Sequence, residues 1–207
     1  MTGREEILTN VRAALGDVPH SAIPREYRTI TGDGLDTFLD RLAHYDATTH
    51  VIDAAEIDRT VSATLAGRSI VVPDGIPDAW LSGVNPIRDD EDPPLTHDQI
   101  DSADGVVTTC ALAIAQTGTI VLDGGTGMGR RALTLLPDYH LCVVRHDQIV
   151  SSVPAAIAKL QNTPTRPITF ISGPSATVDI EMTRVRGVHG PRNLEVIVTA
   201  PRNAPAT

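Results

Sequence analysis

Gly105-Val-Val-Thr-Thr-Cys-Ala-Leu-Ala-Ile-Ala-Gln-Thr-Gly-Thr-Ile-Val-Leu122 is the stretch that decides the fold class. Gly105–Thr108 and Gly118–Leu122 are short β-branched runs set off by turn residues, which is the signature of strands. Cys110–Ala115 between them, rich in alanine and leucine, reads as a short helix. The same alternation extends outward. Tyr139–Arg145, Pro167–Ser172 and Leu194–Thr199 read as further strands, with a helix near 147–161. Toward the N-terminus, 35–45 and 54–66 carry apolar residues at helical spacing, and Thr49–Ile52 and Ser69–Val72 read as strands. Strands alternating with helices predict an α/β domain with a mostly parallel sheet flanked by helices.

Residues 4–15 form a helical pattern with Ile7, Leu8, Val11, Ala14 and Leu15 on one side and Gly16 as its stop. The pattern lapses from Asp17 to Gly34. The expected organisation is an N-terminal helix and linker over 1–34 and an α/β domain over 35–207. The appended helix is a candidate for docking on a partner.

Composition removes several function classes. The chain has 207 residues and a formal net charge of −9. Residues 1–110 carry 8 basic and 20 acidic side chains, and residues 111–207 carry 9 basic and 6 acidic. An acidic half repels phosphate backbones, so nucleic acid is not an expected partner; an anionic ligand belongs in the second half. The two cysteines, Cys110 and Cys142, cannot supply the roughly four ligands of a cluster or structural zinc site, so no metal or cofactor is expected in this chain. Lys159 is the single lysine, which excludes a P-loop in its usual context. No apolar run approaches the roughly 18 residues of a membrane span, and the charged N-terminus is not a secretory signal, so a cytoplasmic location is expected.

Three segments are candidates for chemistry. Asp123-Gly-Gly-Thr-Gly-Met-Gly-Arg-Arg-Ala132 follows a strand and formally matches a dinucleotide fingerprint. Only Arg130–Leu136 remains before Pro137, too short for a crossover helix, so a glycine-rich loop bearing two arginines is the better reading. Arg130 or Arg131 offers a fork for a carboxylate or phosphate, although adjacent side chains diverge. Gly173-Pro-Ser175-Ala-Thr177 resembles a nucleophile elbow, with Asp179 and His189 following in hydrolase order. Thr177 replaces the second glycine and the three groups crowd within 15 residues, so the triad fails. Instead, Ser175 or Thr177 caps a following helix whose first turn carries Asp179 and Glu181, or the turn of Gly173, Pro174, Ser175 and Thr177 cradles an anion. His189, between glycines, is an acid–base candidate beside Asp179, or a turn histidine bonded to backbone. Arg184 and Arg186 make this segment cationic. Thr117, Gly118 and Thr119 place hydroxyls around a glycine at a helix-to-strand junction, a weaker ligand-binding candidate. The remaining histidines, His140 among them, show no ligand spacing; solvated or core roles account for them.

Three blocks taken together resemble a known family: Thr109–Leu122, Leu135-Leu-Pro-Asp-Tyr-His140, and Phe170–Glu181 with Gly187-Val-His-Gly-Pro191. In this order and spacing they look like the LUD domain of the lactate utilization protein C family, over roughly residues 100–200. The resemblance implies a fold like that of sugar-phosphate isomerases and CoA transferases. It also implies a part in oxidising L-lactate to pyruvate alongside two iron–sulfur partner proteins, with the clusters on the partner chains. Gln116 stands where the family often has Glu, and Ala176 where it often has Arg or Lys. The alternative function is a stand-alone enzyme on a phosphorylated or CoA-linked small molecule.

Overall fold

The computed structural model describes residues 3–16, 34–89, 92–161, 166–177, 185–186 and 190–200. In chain order the elements are α1 (Gly3–Leu15), α2 (Leu35–His44), β1 (Thr48–Ile52), α3 (Ile57–Leu65), β2 (Ser69–Val72), β3 (Asn85–Arg88), α4 (His97–Asp101), β4 (Gly105–Thr108), β5 (Leu112–Ile114), β6 (Thr119–Leu122), β7 (Tyr139–Val144), β8 (Ile149–Val150), α5 (Val153–Leu160), β9 (Thr169–Ile171), β10 (Ala176–Thr177), β11 (Val185–Arg186) and β12 (Asn193–Thr199). Short 3-10 turns over Asp78–Leu81, Ala115–Thr117 and Arg131–Thr134 join them.

Six strands in the order β1-β12-β7-β4-β2-β3 form a sheet in which every pairing is parallel. β4 and β7 are buried along their whole length, as strands covered on both faces must be. On one face Ile70, Val72, Val107, Leu141, Val143 and Ile197 pack beneath α3 and the Trp80 turn. On the other face α2 contributes Phe38 and Leu42, one turn apart, to a cluster with Cys142, Val144, Val196 and Val198. The same face carries a second cluster, in which Val71 and Val106 lie under Ile100 of α4 and Leu133. α4 begins with a reciprocal cap: the Gln99 backbone N–H donates to the Thr96 hydroxyl, and the Thr96 N–H donates to Gln99 Oε1.

A second sheet, β8-β5-β6-β9, covers part of this face. It overturns the helix expected over Cys110–Ala115, because Leu112–Ile114 pairs antiparallel with β6 and parallel with β8. A run of six small apolar residues has no decisive period, and its pairing partners decide the outcome. The helix near 147–161 is shorter, beginning at Val153 with Ser152 as its cap. Ser175 is followed directly by a strand, since Ala176–Thr177 pairs antiparallel with Val185–Arg186, so it does not cap a helix at that point; the alternative cap at Thr177, with Asp179 and Glu181 in the first turn, lies outside the described residues. β3, α4 and β8 had no counterpart in the sequence pattern. α1 buries none of its residues, and of the expected linker over 17–34 all but Gly34 lies outside the described residues.

Candidate functional site

The chain leaves β2 for β3 on one side and returns to place β4 on the other. Open α/β sheets accommodate ligands at the carboxyl ends of strands around such a reversal. A cavity of about 650 Å³ lies there, lined by Pro73 and Asp74 after β2, Asp89 after β3, and the glycine-rich loop 123–131. A smaller cavity of about 250 Å³ adjoins it, lined by His140 of β7, Leu194 of β12 and the Gly173–Ser175 turn. Arg131, Thr134 and Thr169 line both.

The glycine-rich loop is tied down by backbone rather than arranged around a pyrophosphate. The Gly127 N–H donates to the Asp74 carbonyl at 2.7 Å, and the Thr109 N–H donates to the Gly127 carbonyl at 2.8 Å. Gly127 has φ +75°, and a Cβ there would stand 2.5 Å from Thr109 Oγ1, so only glycine lets the loop bridge the ends of β2 and β4. The next residues divide sharply. Arg130 Nε and Nη2 donate to the two oxygens of Asp89 at 2.9 and 3.0 Å, and Nη2 also donates to the Leu95 carbonyl. The Asp89 side chain is only 5% exposed. Arg130 therefore clamps an internal carboxylate while it lines the larger cavity. Arg131 makes no ion pair with any described residue and faces both cavities.

The Gly173–Ser175 turn borders the smaller cavity. Gly173 has φ +101°, and a Cβ would fall 2.5 Å from Tyr45 Cβ, so the turn closes on the end of α2 only with glycine. The Ser175 N–H donates to the Pro191 carbonyl at 2.8 Å, binding the turn to the approach of β12. Thr117, Gly118 and Thr119 line neither cavity. The Thr117 and Thr119 hydroxyls are 2.7 Å apart and Thr119 reaches the Ser172 hydroxyl at 2.6 Å, a chain that supports the turn from behind. Asp179, Arg184 and His189 lie outside the described residues, as do the side chains of Thr177 and Arg186. Of the two positions where the chain departs from the family pattern, Gln116 and Ala176 are both exposed.

Two groups escaped sequence reasoning. His140 is fully buried, its Nε2 hydrogen-bonded with the Thr108 hydroxyl at 2.8 Å, and burial pushes its pKa down to about 4. Its neighbours in register are Val106 and Leu194, a composition that hides a polar function inside an apolar run. Cys110 and Cys142, 32 positions apart, are brought together because β4 and β7 are adjacent; contact with Cys142 and burial hold the Cys110 thiol protonated, so it is no reactive thiolate. Among the described residues no cluster of three or more metal-ligating side chains occurs, and no helix is long and apolar enough to cross a membrane.

Removing Asp89 leaves Arg130 without its bidentate partner at a half-buried position, so Asp89→Ala is expected to cost about 2 kcal/mol of stability in urea denaturation. His140 binds a proton more readily in the unfolded chain, at a pKa of about 6.5, than in the fold. Its contribution is therefore complete above pH 6.5 and is lost as the pH falls toward 4, by up to about 3 kcal/mol. The His140→Phe variant is expected to show a shallower loss of stability across that window in the same denaturation series.

The LUD domain model matches residues 42–199. A lactate utilization protein C from Deinococcus radiodurans is 44% identical over 200 residues, covering 93% of each chain. Another from Geobacillus kaustophilus is 28% identical over 235 residues, covering 96% of this chain and 97% of the relative. The crystal structure of a DUF162 family protein from Deinococcus radiodurans superposes with a TM-score of 0.69 at 41% identity, covering 81% of this chain and 96% of that one. With the domain match spanning the parallel sheet, the second sheet and both cavities, this chain belongs to the LUD domain family.

Proposed function

We propose that the chain serves lactate utilization as a subunit or accessory protein in the oxidation of L-lactate to pyruvate, acting with iron–sulfur proteins that carry the electrons. The carrying observation is the 44% identity to a lactate utilization protein C across nearly the whole of both chains. The site supports it in chemical terms. Arg131 makes no ion pair among the described residues and lies beside a cavity sized for a small molecule, while its neighbour Arg130 is held by Asp89. A guanidinium facing a small cavity suits one carboxylate. Ser175 and the Gly173-Pro174 turn complete the binding surface, and Asp179, Thr177, Arg184, Arg186 and His189 belong to the same stretch of chain.

Deletion of the protein is expected to stop growth on L-lactate, and affinity purification of the full chain from lactate-grown cells is expected to bring down proteins containing iron and acid-labile sulfide. Undiminished growth overturns the pathway role. Lost growth with no iron-containing protein captured overturns the partner arrangement.

The larger cavity favours a second reading, a stand-alone enzyme on a phosphorylated or CoA-linked molecule, because about 650 Å³ at the carboxyl ends of the strands admits a bigger ligand. Its charges argue the other way. Asp74 and Asp123 balance Arg131 and Arg166 along its wall, leaving no net attraction for a multiply charged phosphate. Thermal shift of the purified chain with acyl-CoAs and sugar phosphates tests this reading; the expected result is no stabilisation, and a rise in Tm of several degrees would favour it.

A further inference from the structure

His140 Nδ1 is the buried side-chain nitrogen or oxygen left without a hydrogen-bond partner among the described residues. Such an atom in an otherwise satisfied interior calls for a reason. The Thr108 hydroxyl holds the ring at Nε2, and the side chains of its strand neighbours Val106 and Leu194 are apolar. The cavity of about 250 Å³ runs against it. Among the described residues Arg131 is the only one with a formal charge along that cavity. The rest of the wall is hydroxyl-bearing, as at Thr134 and Ser175, or apolar, as at Leu135 and Leu194. Among the described residues the cavity thus combines one positive charge with one buried, uncharged hydrogen-bonding nitrogen, in a volume suited to a small molecule.

We propose that this cavity binds a small carboxylic acid bearing a hydroxyl or keto oxygen on its second carbon, with Arg131 taking the carboxylate and His140 Nδ1 taking that oxygen. The placement of the oxygen rests on the lactate reading above. A neutral imidazole suits both oxidation levels without gaining charge. When the Thr108 hydroxyl donates to Nε2, Nδ1 carries the proton and donates to a keto oxygen. When Nε2 donates to Thr108 Oγ1, Nδ1 is bare and accepts from a hydroxyl. A buried group built to pair with an oxygen rejects the analogue that lacks it, because the group is then left unsatisfied. His140 thereby becomes the specificity residue, and Arg131 the anchor common to all small carboxylates.

The test titrates the full chain with L-lactate, pyruvate and propionate by calorimetry, and follows the histidine ring nitrogens of labelled protein by NMR. Lactate, pyruvate or both are expected to bind roughly tenfold or more tightly than propionate, with the His140 Nδ1 resonance moving on saturation. His140→Phe and His140→Leu are expected to lower binding to the propionate level, and Arg131→Gln to weaken all three probes alike. Discrimination that survives in a folded His140 variant overturns the proposal. So does an Nδ1 resonance unmoved in the saturated wild-type protein, a readout that needs no variant to fold. Failure of the wild-type chain to bind any of the three probes overturns the cavity's assignment. The growth phenotype of the deletion reports separately on the pathway, so a chain required for growth on lactate yet blind to these acids refutes this inference alone.

Discussion

An all-parallel sheet must be buried on both faces, and how this chain meets that demand governs everything else about it. One face is covered by a single layer, α3 with the Trp80 turn. The other is covered in two pieces that derive from different parts of the chain. α2 and the second sheet lie over β7 and β12, and α4 with the Arg131–Thr134 turn lies over β2 and β4. Where the two pieces approach each other, the packing opens into the smaller cavity, with His140 and Leu194 along its wall. The candidate site is thus a consequence of how the sheet is covered, and it lies next to the carboxyl-end crevice that the strand order creates.

Local electrostatics then sort the residues around that seam. Arg130 and Arg131 are adjacent and chemically identical, yet among the described residues one is paired with a carboxylate and the other is not. Asp89 emerges from β3 almost entirely buried, and a buried carboxylate without a partner is costly, so the bidentate pair with Arg130 anchors the glycine-rich loop to the sheet. Gly127 permits the same loop to reach backbone groups of both Asp74 and Thr109. With the loop held at these points, Arg131 is presented toward both cavities. Burial acts in the opposite sense on His140, keeping its imidazole uncharged and leaving a neutral nitrogen inside an apolar wall.

The strands of the main sheet other than β3 were legible, the central ones because their burial leaves short runs dominated by apolar and β-branched residues, as in Gly105–Thr108 and Tyr139–Val144. Helices α2 and α3 were legible from apolar residues one turn apart, Phe38 with Leu42 and Val61 with Leu65. Leu112–Ile114 was not, because alanine and leucine favour a helix in isolation and only antiparallel partnership with β6 makes the segment a strand. One of the two readings of Ser175, as the cap of a helix starting directly after it, failed for a related reason: a hydroxyl followed by acidic residues imitates a helix cap, whereas Ala176–Thr177 finds a strand partner in Val185–Arg186. His140 could not be singled out at all. Nothing in a linear run of Tyr, His, Leu, Cys and Val distinguishes a packed histidine from one with an open nitrogen.

By itself the amino-acid sequence determined the class of fold, the family, the absence of a cysteine framework for a cluster, and the stretch of chain that carries the turn at Gly173–Ser175. These depend on composition, on period and on residues close together along the chain. The tertiary structure alone decided which arginine is spoken for, that Cys110 and Cys142 are neighbours, and that His140 stands beside a cavity with Arg131. Each of those depends on strand order and register, which bring β4, β7 and β12 together across tens of residues. A hydrogen bond made or left unmade is a property of that three-dimensional neighbourhood, so it has no counterpart in the order of the residues.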